Sequence, residues 1–245
     1  MTRTLSKEFL TDPTQTKRVV KTYERMLLAL YQNALKKVLY SFERARHLAA
    51  TEFNLTWFLD ELGLVYDREV LIPAKAPAGA FISKSYLMGL AFGSRTLKQV
   101  NITATLTPTP ADFKVIDILQ TRNFAALKGV NDETAKKIMS ELSDGITKGE
   151  SIDDLRRRIT DSVDSISAPR AETIARTETL YAFNTAAKEQ YNRYGVSKVE
   201  WLTAYDERVC IECGPLQGKQ FEIDNAPDCP LHPNCRCTLL PVIED

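Results

Sequence analysis

The stretch PRAETIARTETLYAFNTAAKEQYNRYG, residues 169–195, lies where the pattern of this chain changes. Proline is common at the first position of a helix and glycine just beyond its end, so the stretch predicts a long helix that starts at Pro169 and stops at Gly195. The segments that follow, SKVEWLTAY, KQFEI and CTLLPVI, are rich in β-branched and aromatic residues, which is typical of short strands. The chain is therefore predicted to be helical before Gly195 and β-rich after it.

The residues before Pro169 have a helical periodicity with two interruptions. Apolar residues recur every three or four positions over residues 16–50, which predicts an amphipathic helix of many turns. Residues 64–82 contain two prolines and a glycine and predict an extended connector, and the Thr- and Pro-rich residues 100–110 predict a linker. The other predicted helices are 51–62 ending at Gly63, 83–99, 111–130, 132–149 with Asn131 as its N-cap, and one that begins at Ser151 with Asp154 in a capping box.

These elements predict an α+β protein that is mostly α-helical, with a small C-terminal module that is β-rich, cysteine-rich and zinc-knuckle-like. We expect a helical N-terminal region over residues 1–100, a linker over 101–110, and a second domain over 111–245. The helices of that second domain are expected at 111–195. Its strands and all of its cysteines are expected at 196–245, and we call residues 196–245 the cysteine module.

The composition is that of a globular protein. The 245 residues include 44% hydrophobic and 26% charged residues, which excludes general disorder, and a formal net charge of zero disfavours a uniformly basic nucleic-acid binder. The charge is uneven, since residues 1–50 carry ten Lys and Arg against four Asp and Glu. No apolar run approaches the roughly 18–20 residues of a membrane span, and the N-terminus lacks the apolar segment of a signal peptide. We therefore expect synthesis in a reducing cytoplasm, without membrane contact.

The spacing of the five cysteines, all of which lie after residue 209, predicts a metal site. A C-x2-C pair is followed by an H-x2-C pair, and two such turns can bring three thiolates and one imidazole to the corners of a tetrahedron. Soft thiolates with one imidazole suit zinc, which is the predicted cofactor. The predicted ligands are Cys210, Cys213, His232 and Cys235, with Cys237 as the substitute and Cys229 expected to be free.

Three other interpretations of the cysteines stay open. They can be small buried apolar residues, they can form disulfides outside the cytosol, or one of them can pair with His232 as a catalytic nucleophile. Catalysis is the weakest of these, because His232 precedes a proline and has no assignable acid to orient it. Since protein can fill all four ligand positions, a bound zinc would be structural and would stabilise a module with little core of its own.

Three segments carry a family pattern in a fixed order: RAETIARTETLYAFNTA (170–186), VEWLTAYDERVCIECGPLQGKQF (199–221) and PLHPNCRCTLLP (230–241). Together they join an Ala-Arg-Thr-Glu helix, a tryptophan, a C-x2-C segment and a closing His-Pro-x-Cys-Arg-Cys. This ordered set resembles the minor head proteins of tailed phages, the phage Mu F-like head morphogenesis family. With its helical lead-in, the resemblance covers about residues 111–245.

The resemblance implies a minor capsid protein that helps to build a phage or prophage head. Members of that family associate with the portal protein and act in DNA packaging, retention or delivery. We therefore expect a virion protein, made in the host cytoplasm and lying inside the head near the portal, that is not an enzyme and has no small-molecule substrate. The expected partners are the portal protein and genomic double-stranded DNA, bound non-specifically. Two alternatives stay open, a zinc-containing HNH-like nuclease packaged in the head and a non-specific DNA-binding zinc module.

Two further sets of residues are predicted to be important. Arg176 and Glu178 are expected to fasten their helix to the cysteine module, since residues two apart on a helix point to different sides and suit catalysis poorly. Asn184 and Asp206 are expected to join the same structural polar network. The basic residues of the first helix are predicted to contact DNA or the portal. This basic contact face consists of Lys17, Arg18, Lys21, Arg25, Lys36, Lys37, Arg44 and Arg46.

Overall fold

The computed structural model describes residues 12–48, 55–204 and 206–243. The predicted fold class is confirmed, since these ranges are mostly helical and end in a small sheet that lies among the cysteines. The helices are α1 (Lys17–Leu48), α2 (Leu55–Tyr66), α3 (Ile72–Gln99), α4 (Pro110–Thr147) and α5 (Ile152–Arg193), with a π-helical turn at Asp67–Leu71. The strands are β1 (Lys198–Leu202), β2 (Gln220–Glu222) and β3 (Thr238–Val242), with 3-10 turns at Gly214–Leu216 and Ile223–Asn225.

Several predicted elements are confirmed. α1 fills the predicted range 16–50 except at its ends, and residues 49–50 lie outside the described residues. The capping box before α5 forms, because Ser151 N donates to Asp154 Oδ2 and Asp154 N donates to Ser151 Oγ, each at 3.2 Å. α5 ends just before Gly195, whose φ of +75° is the left-handed conformation that glycine adopts without strain.

The connector predicted over residues 64–82 is wrong, and so is the helix end at Gly63. α2 continues past Gly63, and the π-helical turn leads directly into α3, which contains Pro77. Pro77 cannot donate a backbone hydrogen bond, which costs about 3 kcal/mol in a helix. Burial of apolar side chains at every fourth position of this segment outweighs that cost. The buried residues with this period are Val70, Ala74, Ala78 and Ile82.

Two predicted helix starts lie in helix interiors instead. Asn131 is not an N-cap, because it lies within α4 at 4% exposure, where its Nδ2 donates to the carbonyl oxygen of Tyr66 at 3.4 Å. Pro169 lies inside α5 rather than at its start. Buried residues on either side, Ile166 and Ala171, keep the helix continuous. Packing therefore overrides the local signal at both positions.

The chain divides into two compact units. Among the described residues, the first unit contains 12–22, 79–121, 173–204 and 206–243, and the second unit contains 23–48, 55–78 and 122–172. The first unit includes the sheet and the cysteines. The predicted domain boundaries at 100 and 110 stay a prediction. None of the described helices has both the length and the apolar character needed to cross a membrane.

Two glycines allow α3 and α5 to pack closely in the first unit. A Cβ added at Gly89 would lie 2.1 Å from the carbonyl oxygen of Phe183, and one added at Gly93 would lie 2.9 Å from Cβ of Gln190. Only a residue without a side chain fits at such an approach of two helices. The contact also brings the Phe92 and Phe183 rings to a centroid distance of 5.1 Å. It thereby fixes the position of α5, against which the sheet packs.

The sheet is antiparallel with the order β2-β1-β3. Central strand β1 pairs Val199 with Phe221 on one side, and Trp201 with Leu239 on the other. Val199, Trp201 and Leu239 are at most 2% exposed, and they share a core with Tyr191 of α5. The loops that leave this anchored sheet carry the cysteines.

Asp112 is a buried carboxylate that joins three helices of the first unit. At 1% exposure it accepts hydrogen bonds from Tyr86 of α3 at 2.8 Å and from the Arg193 guanidinium of α5 at 2.8 Å. It also closes a capping box at the start of α4, where Thr109 N donates to its Oδ2 at 2.6 Å. Burial opposes ionisation, but these hydrogen bonds hold the pKa of Asp112 below its usual value. Sequence analysis missed this box because residues 100–110 were assigned to a linker.

Candidate metal centre

Two tight turns bring the predicted metal ligands together. In the first turn, Cys213 N donates to Cys210 Sγ at 3.2 Å. In the second turn, Cys235 N donates to the carbonyl oxygen of His232 at 3.2 Å, and Asn234 adopts a left-handed φ of +64°, which asparagine tolerates. The C-x2-C and H-x2-C pairs therefore form turns, as their spacing suggested.

The distances between the ligand atoms are short. His232 Nε2 lies 3.0 Å from Cys210 Sγ and 3.2 Å from Cys213 Sγ. Cys213 Sγ lies 3.8 Å from Cys235 Sγ. Two thiolates on a tetrahedral zinc are about 3.8 Å apart, which follows from a Zn–S bond of about 2.3 Å. The separation of the two sulfurs therefore fits a shared ion.

The five donors form two triads that share Cys213. In the outer triad, the ligand atoms of Cys210, Cys213 and His232 lie within 4.8 Å of one another, and in the inner triad those of Cys213, Cys235 and Cys237 do. The inner triad is fully buried, whereas Cys210 and His232 are half-buried. Cys237 was predicted only as the substitute ligand, but its sulfur and that of Cys235 both approach Cys213. The choice of Cys210, Cys213, His232 and Cys235 as the ligand set stays a prediction.

A cavity of about 30 Å³ lies among the donors. Both triads line it, together with residues such as Ala204 and Val209. A space of this size accepts an ion or a water molecule. The cluster could therefore hold a metal ion.

A backbone carbonyl orients His232 as a ligand. Nδ1 lies 2.8 Å from the carbonyl oxygen of Pro233, which can only accept a hydrogen bond, so Nδ1 carries the proton. The lone pair of Nε2 therefore faces the sulfurs of Cys210 and Cys213. Metal-binding histidines usually donate their other N–H to such a group. No acid in the sequence could be assigned to orient His232, and the Pro233 carbonyl takes that role.

The thiols of the inner triad compete for their protons. Hydrogen bonds from Cys229 and Cys237 lower the pKa of Cys235 to about 2. Burial and the neighbouring Cys235 raise the pKa of Cys213 to about 12, and the hydrogen bond to Cys235, with burial, raises that of Cys237. Negative charge is therefore concentrated on one sulfur. A bound cation removes this competition for protons, because coordinated thiols are deprotonated outright.

Residues 136–240 match the family model described as Phage Mu protein F like protein. This part of the chain is therefore similar to the Mu F-like phage proteins. The match confirms the resemblance in segments 170–186, 199–221 and 230–241, and we call residues 136–240 the Mu F-like segment. The segment contains the end of α4, all of α5 and all five cysteines. No curated protein matches the chain, and no solved structure does.

Within the Mu F-like segment, Arg236 forms a bidentate pair with Asp206. Arg236 Nη1 lies 2.6 Å from Asp206 Oδ2, and Nη2 lies 2.5 Å from Oδ1. These hydrogen bonds hold the pKa of Asp206 well below its usual value. Because Arg236 separates Cys235 from Cys237, the pair fixes the turn that carries both thiols. Such planar, charge-assisted pairs impose geometry as well as stability.

One face of α5 holds the last part of the Mu F-like segment. Three side chains spaced seven residues apart, and hence on one side of the helix, bind consecutive points of the chain around β3. The contacts are Thr177 Oγ1 with Asn234 N, Asn184 Nδ2 with the Cys237 carbonyl, and Tyr191 Oη with the Leu239 carbonyl, each at 3.1 Å. Sequence analysis missed Thr177 and Tyr191, although their spacing from Asn184 could have revealed them.

The four residues predicted as one polar network act at separate points. Arg176 Nη1 reaches Asn234 Oδ1 at 3.5 Å, and Asn184 binds the start of β3, so both fasten α5 to the cysteine module. Glu178 lies buried on α5 at 6% exposure. Asp206 binds the guanidinium groups of Arg236 and Arg208, and its membership of one network with the other three residues stays a prediction. The predicted fastening by α5 is thus spread along the helix.

The predicted basic contact face on α1 is exposed wherever it is described. The Arg44 guanidinium lies over the ring of Trp57, 5.6 Å from its centroid. The side chain of Arg46 lies outside the described residues. The exposed members are Lys17, Arg18, Lys21, Arg25, Lys36, Lys37 and Arg44.

Proposed function

We propose that this chain is a portal-associated minor head protein of a tailed phage or prophage, acting in head morphogenesis. The observation that carries the proposal is the family match over residues 136–240, which spans the donor cluster and the helix that fastens it. The protein would lie in the virion, inside the head near the portal. There it would act in DNA packaging, retention or delivery.

We further propose that zinc is the ion of the cysteine module and that its role is structural. Its ligands would be Cys210, Cys213, His232 and Cys235. Cys235 would move towards the other three, which form the outer triad. The two contacts of the His232 nitrogen, 3.0 and 3.2 Å, would widen to about 3.6 Å, the nitrogen–sulfur separation on a tetrahedral zinc. Four protein ligands leave no open coordination position for a reacting water.

The ligand set supports a structural role over the nuclease alternative. Three thiolates and one imidazole would fill all four coordination positions and leave none for a scissile phosphate. A module with three short strands gains much of its stability from such an ion, because binding free energy is folding free energy when the unfolded chain has no preformed site. Zinc would thereby hold the module in the shape that α5 binds.

The basic contact face would bind the portal or the phosphates of DNA. Its exposed cations supply charge without a base-reading arrangement, so DNA binding would be independent of sequence and sensitive to salt. Lys36 and Lys37 are adjacent and exposed on α1, which makes them the best point to probe.

Capture of the portal protein tests the assembly role. The purified chain should retain the portal protein of the same phage. The double variant Lys36→Glu/Lys37→Glu should weaken portal capture or DNA binding, whichever contact this face makes. The matched control Lys84→Glu/Lys98→Glu reverses two exposed lysines of α3 and should change neither. A wild-type chain that captures no portal protein would contradict the portal assignment.

A nicking assay separates the assembly role from the nuclease alternative. Supercoiled plasmid is incubated with the zinc-loaded chain and Mg²⁺ or Mn²⁺. The proposed function predicts no cleavage above that of a Cys213→Ser preparation. Clear turnover that depends on Cys213 would contradict it.

A further inference from the structure

The inner triad differs in chemistry from the site proposed for zinc. We propose that Cys213, Cys235 and Cys237 form a second metal position, selective for a soft monovalent ion such as Cu(I), that competes with zinc for Cys213 and Cys235. This inference goes beyond the proposed function, which needs only zinc and a position that includes His232.

The donor set of the inner triad is uniformly soft. Its three members are sulfur atoms within 4.8 Å of one another, without an imidazole or carboxylate in the group. They are 2–3% exposed and share a core with Trp201 and Leu239, so water has little access. Thiolate ligands favour Cu(I), whereas a structural zinc requires a fourth ligand at the remaining corner of a tetrahedron. Three converging sulfurs without a fourth donor in the group therefore suit the softer ion.

Both cysteines that flank Arg236 approach the sulfur of Cys213. Between them, the Arg236 guanidinium is held by its pair with Asp206, at 2.6 and 2.5 Å. This pair fixes the segment that carries both thiols. On the other side of Cys237, Asn184 holds the carbonyl oxygen at 3.1 Å and fixes the register.

The two positions cannot be filled at once. They share the sulfurs of Cys213 and Cys235, so an ion that takes both leaves zinc with only Cys210 and His232. Cu(I) binding in the inner triad should therefore release zinc from the outer position, one ion for one ion. No change of oxidation state is involved, since the copper is supplied as Cu(I) and the thiols lose only protons.

The test uses the full chain, reduced and stripped of metal under anaerobic conditions. Cu(I) affinity is measured by competition with a chromogenic Cu(I) chelator, and zinc affinity by competition with a zinc chelator. Cys237→Ser should weaken Cu(I) binding by about 100-fold or more, since a whole ligand is lost where an outer-shell partner alone costs about 10–100-fold. Its zinc affinity should fall less than its Cu(I) affinity, because Cys237 would be an outer-shell partner of the zinc ligands and not a ligand. His232→Ala should give the reverse pattern.

Ile211→Ser is the control, because Ile211 lies between Cys210 and Cys213, is 92% exposed and offers no metal ligand. It should leave both affinities close to wild type. X-ray absorption of wild-type chain loaded with Cu(I) gives a readout that needs no variant, and should show sulfur ligands without nitrogen.

Each outcome decides the inference. Cu(I) binding that survives Cys237→Ser, or that His232→Ala abolishes, would overturn it, and so would a nitrogen ligand on the copper. A wild-type chain that binds zinc but no Cu(I) would overturn it while the zinc proposal stands. A chain that binds Cu(I) but no zinc would support it and contradict the zinc proposal. One copper and one zinc bound together would overturn the competition.

Discussion

Asn184 of α5 holds the backbone of Cys237 inside the protein. Its Nδ2 donates to the Cys237 carbonyl oxygen at 3.1 Å, and its Oδ1 accepts from the hydroxyl of Thr238 at 2.7 Å. Asn184 is 3% exposed, so both ends of its amide are used away from water. The helix thereby fixes the strand that leaves the metal cluster.

Replacing Asn184 by Leu should lower the free energy of unfolding by about 2–4 kcal/mol, because it leaves a buried carbonyl and a buried hydroxyl without their partner. Urea unfolding followed by tryptophan fluorescence measures the change, since Trp201 lies in the same core. The control Asn192→Leu alters an exposed asparagine of the same helix and should shift stability by less than about 0.5 kcal/mol. Equal effects of the two variants would contradict the role of Asn184.

Replacing Gly89 by Ala should destabilise the first unit by about 3 kcal/mol. The added Cβ would lie 2.1 Å from the Phe183 carbonyl oxygen, so α3 and α5 must separate. Gly129→Ala is the matched control within a helix, since a Cβ there meets nothing within 4 Å. It should stabilise the chain by about 0.5–1 kcal/mol through helix propensity. Thermal unfolding of both variants checks the prediction, which fails if Gly89→Ala is as stable as Gly129→Ala.

Asp206→Asn should weaken the cysteine module in a pH-dependent way. The folded pKa of Asp206 is depressed by Arg236, so its contribution is complete above the unfolded pKa of about 3.9 and is lost as pH falls through the folded pKa. The stability gap between wild type and variant should be constant from pH 5 to 7, roughly 1–3 kcal/mol, and should shrink below about pH 4. Measuring the gap, rather than either protein alone, cancels the other titrating groups. A gap that does not change with pH would contradict the ion pair.

Asp112→Asn should destabilise the chain by about 2–4 kcal/mol, because Arg193 loses its buried counter-charge and Thr109 N loses a charged acceptor. Asp117→Asn, at an exposed position one turn further along α4, is the control and should be nearly neutral. Hydrogen exchange at the start of α4 provides a local readout, with faster exchange expected only for Asp112→Asn. Unchanged protection there would contradict the capping box.

The sequence predicted the elements whose local pattern agrees with their burial. The strands around Val199 and the turns of the cysteine pairs follow from side-chain alternation and from spacing. Prediction was wrong at Pro77, Asn131 and Pro169, where a local helix-ending or helix-starting signal competes with burial on both sides of the residue. A single sequence does not reveal which face of a helix is buried, and this decides such cases.

The candidate site was predictable in its donors and less so in its arrangement. Spacing identifies the cysteines and His232 as a cluster, but the approach of both Cys235 and Cys237 to Cys213 depends on a segment that Arg236 and Asp206 hold in place. That pair is 30 residues apart in the chain, and no local pattern marks it. The contact of Asn184 with the Cys237 backbone is equally invisible, because it involves a main-chain atom.

The central claim is that the cysteine module holds a structural metal ion, and metal analysis of the purified chain tests it most directly. Protein purified under reducing conditions without chelator should contain about one zinc per chain, as one four-ligand site requires. Cys213→Ser should contain almost none, because that sulfur belongs to both triads, and Cys229→Ser should keep the wild-type content. Wild-type protein that is folded and free of zinc, or a Cys213→Ser variant that retains a full equivalent, would contradict the claim.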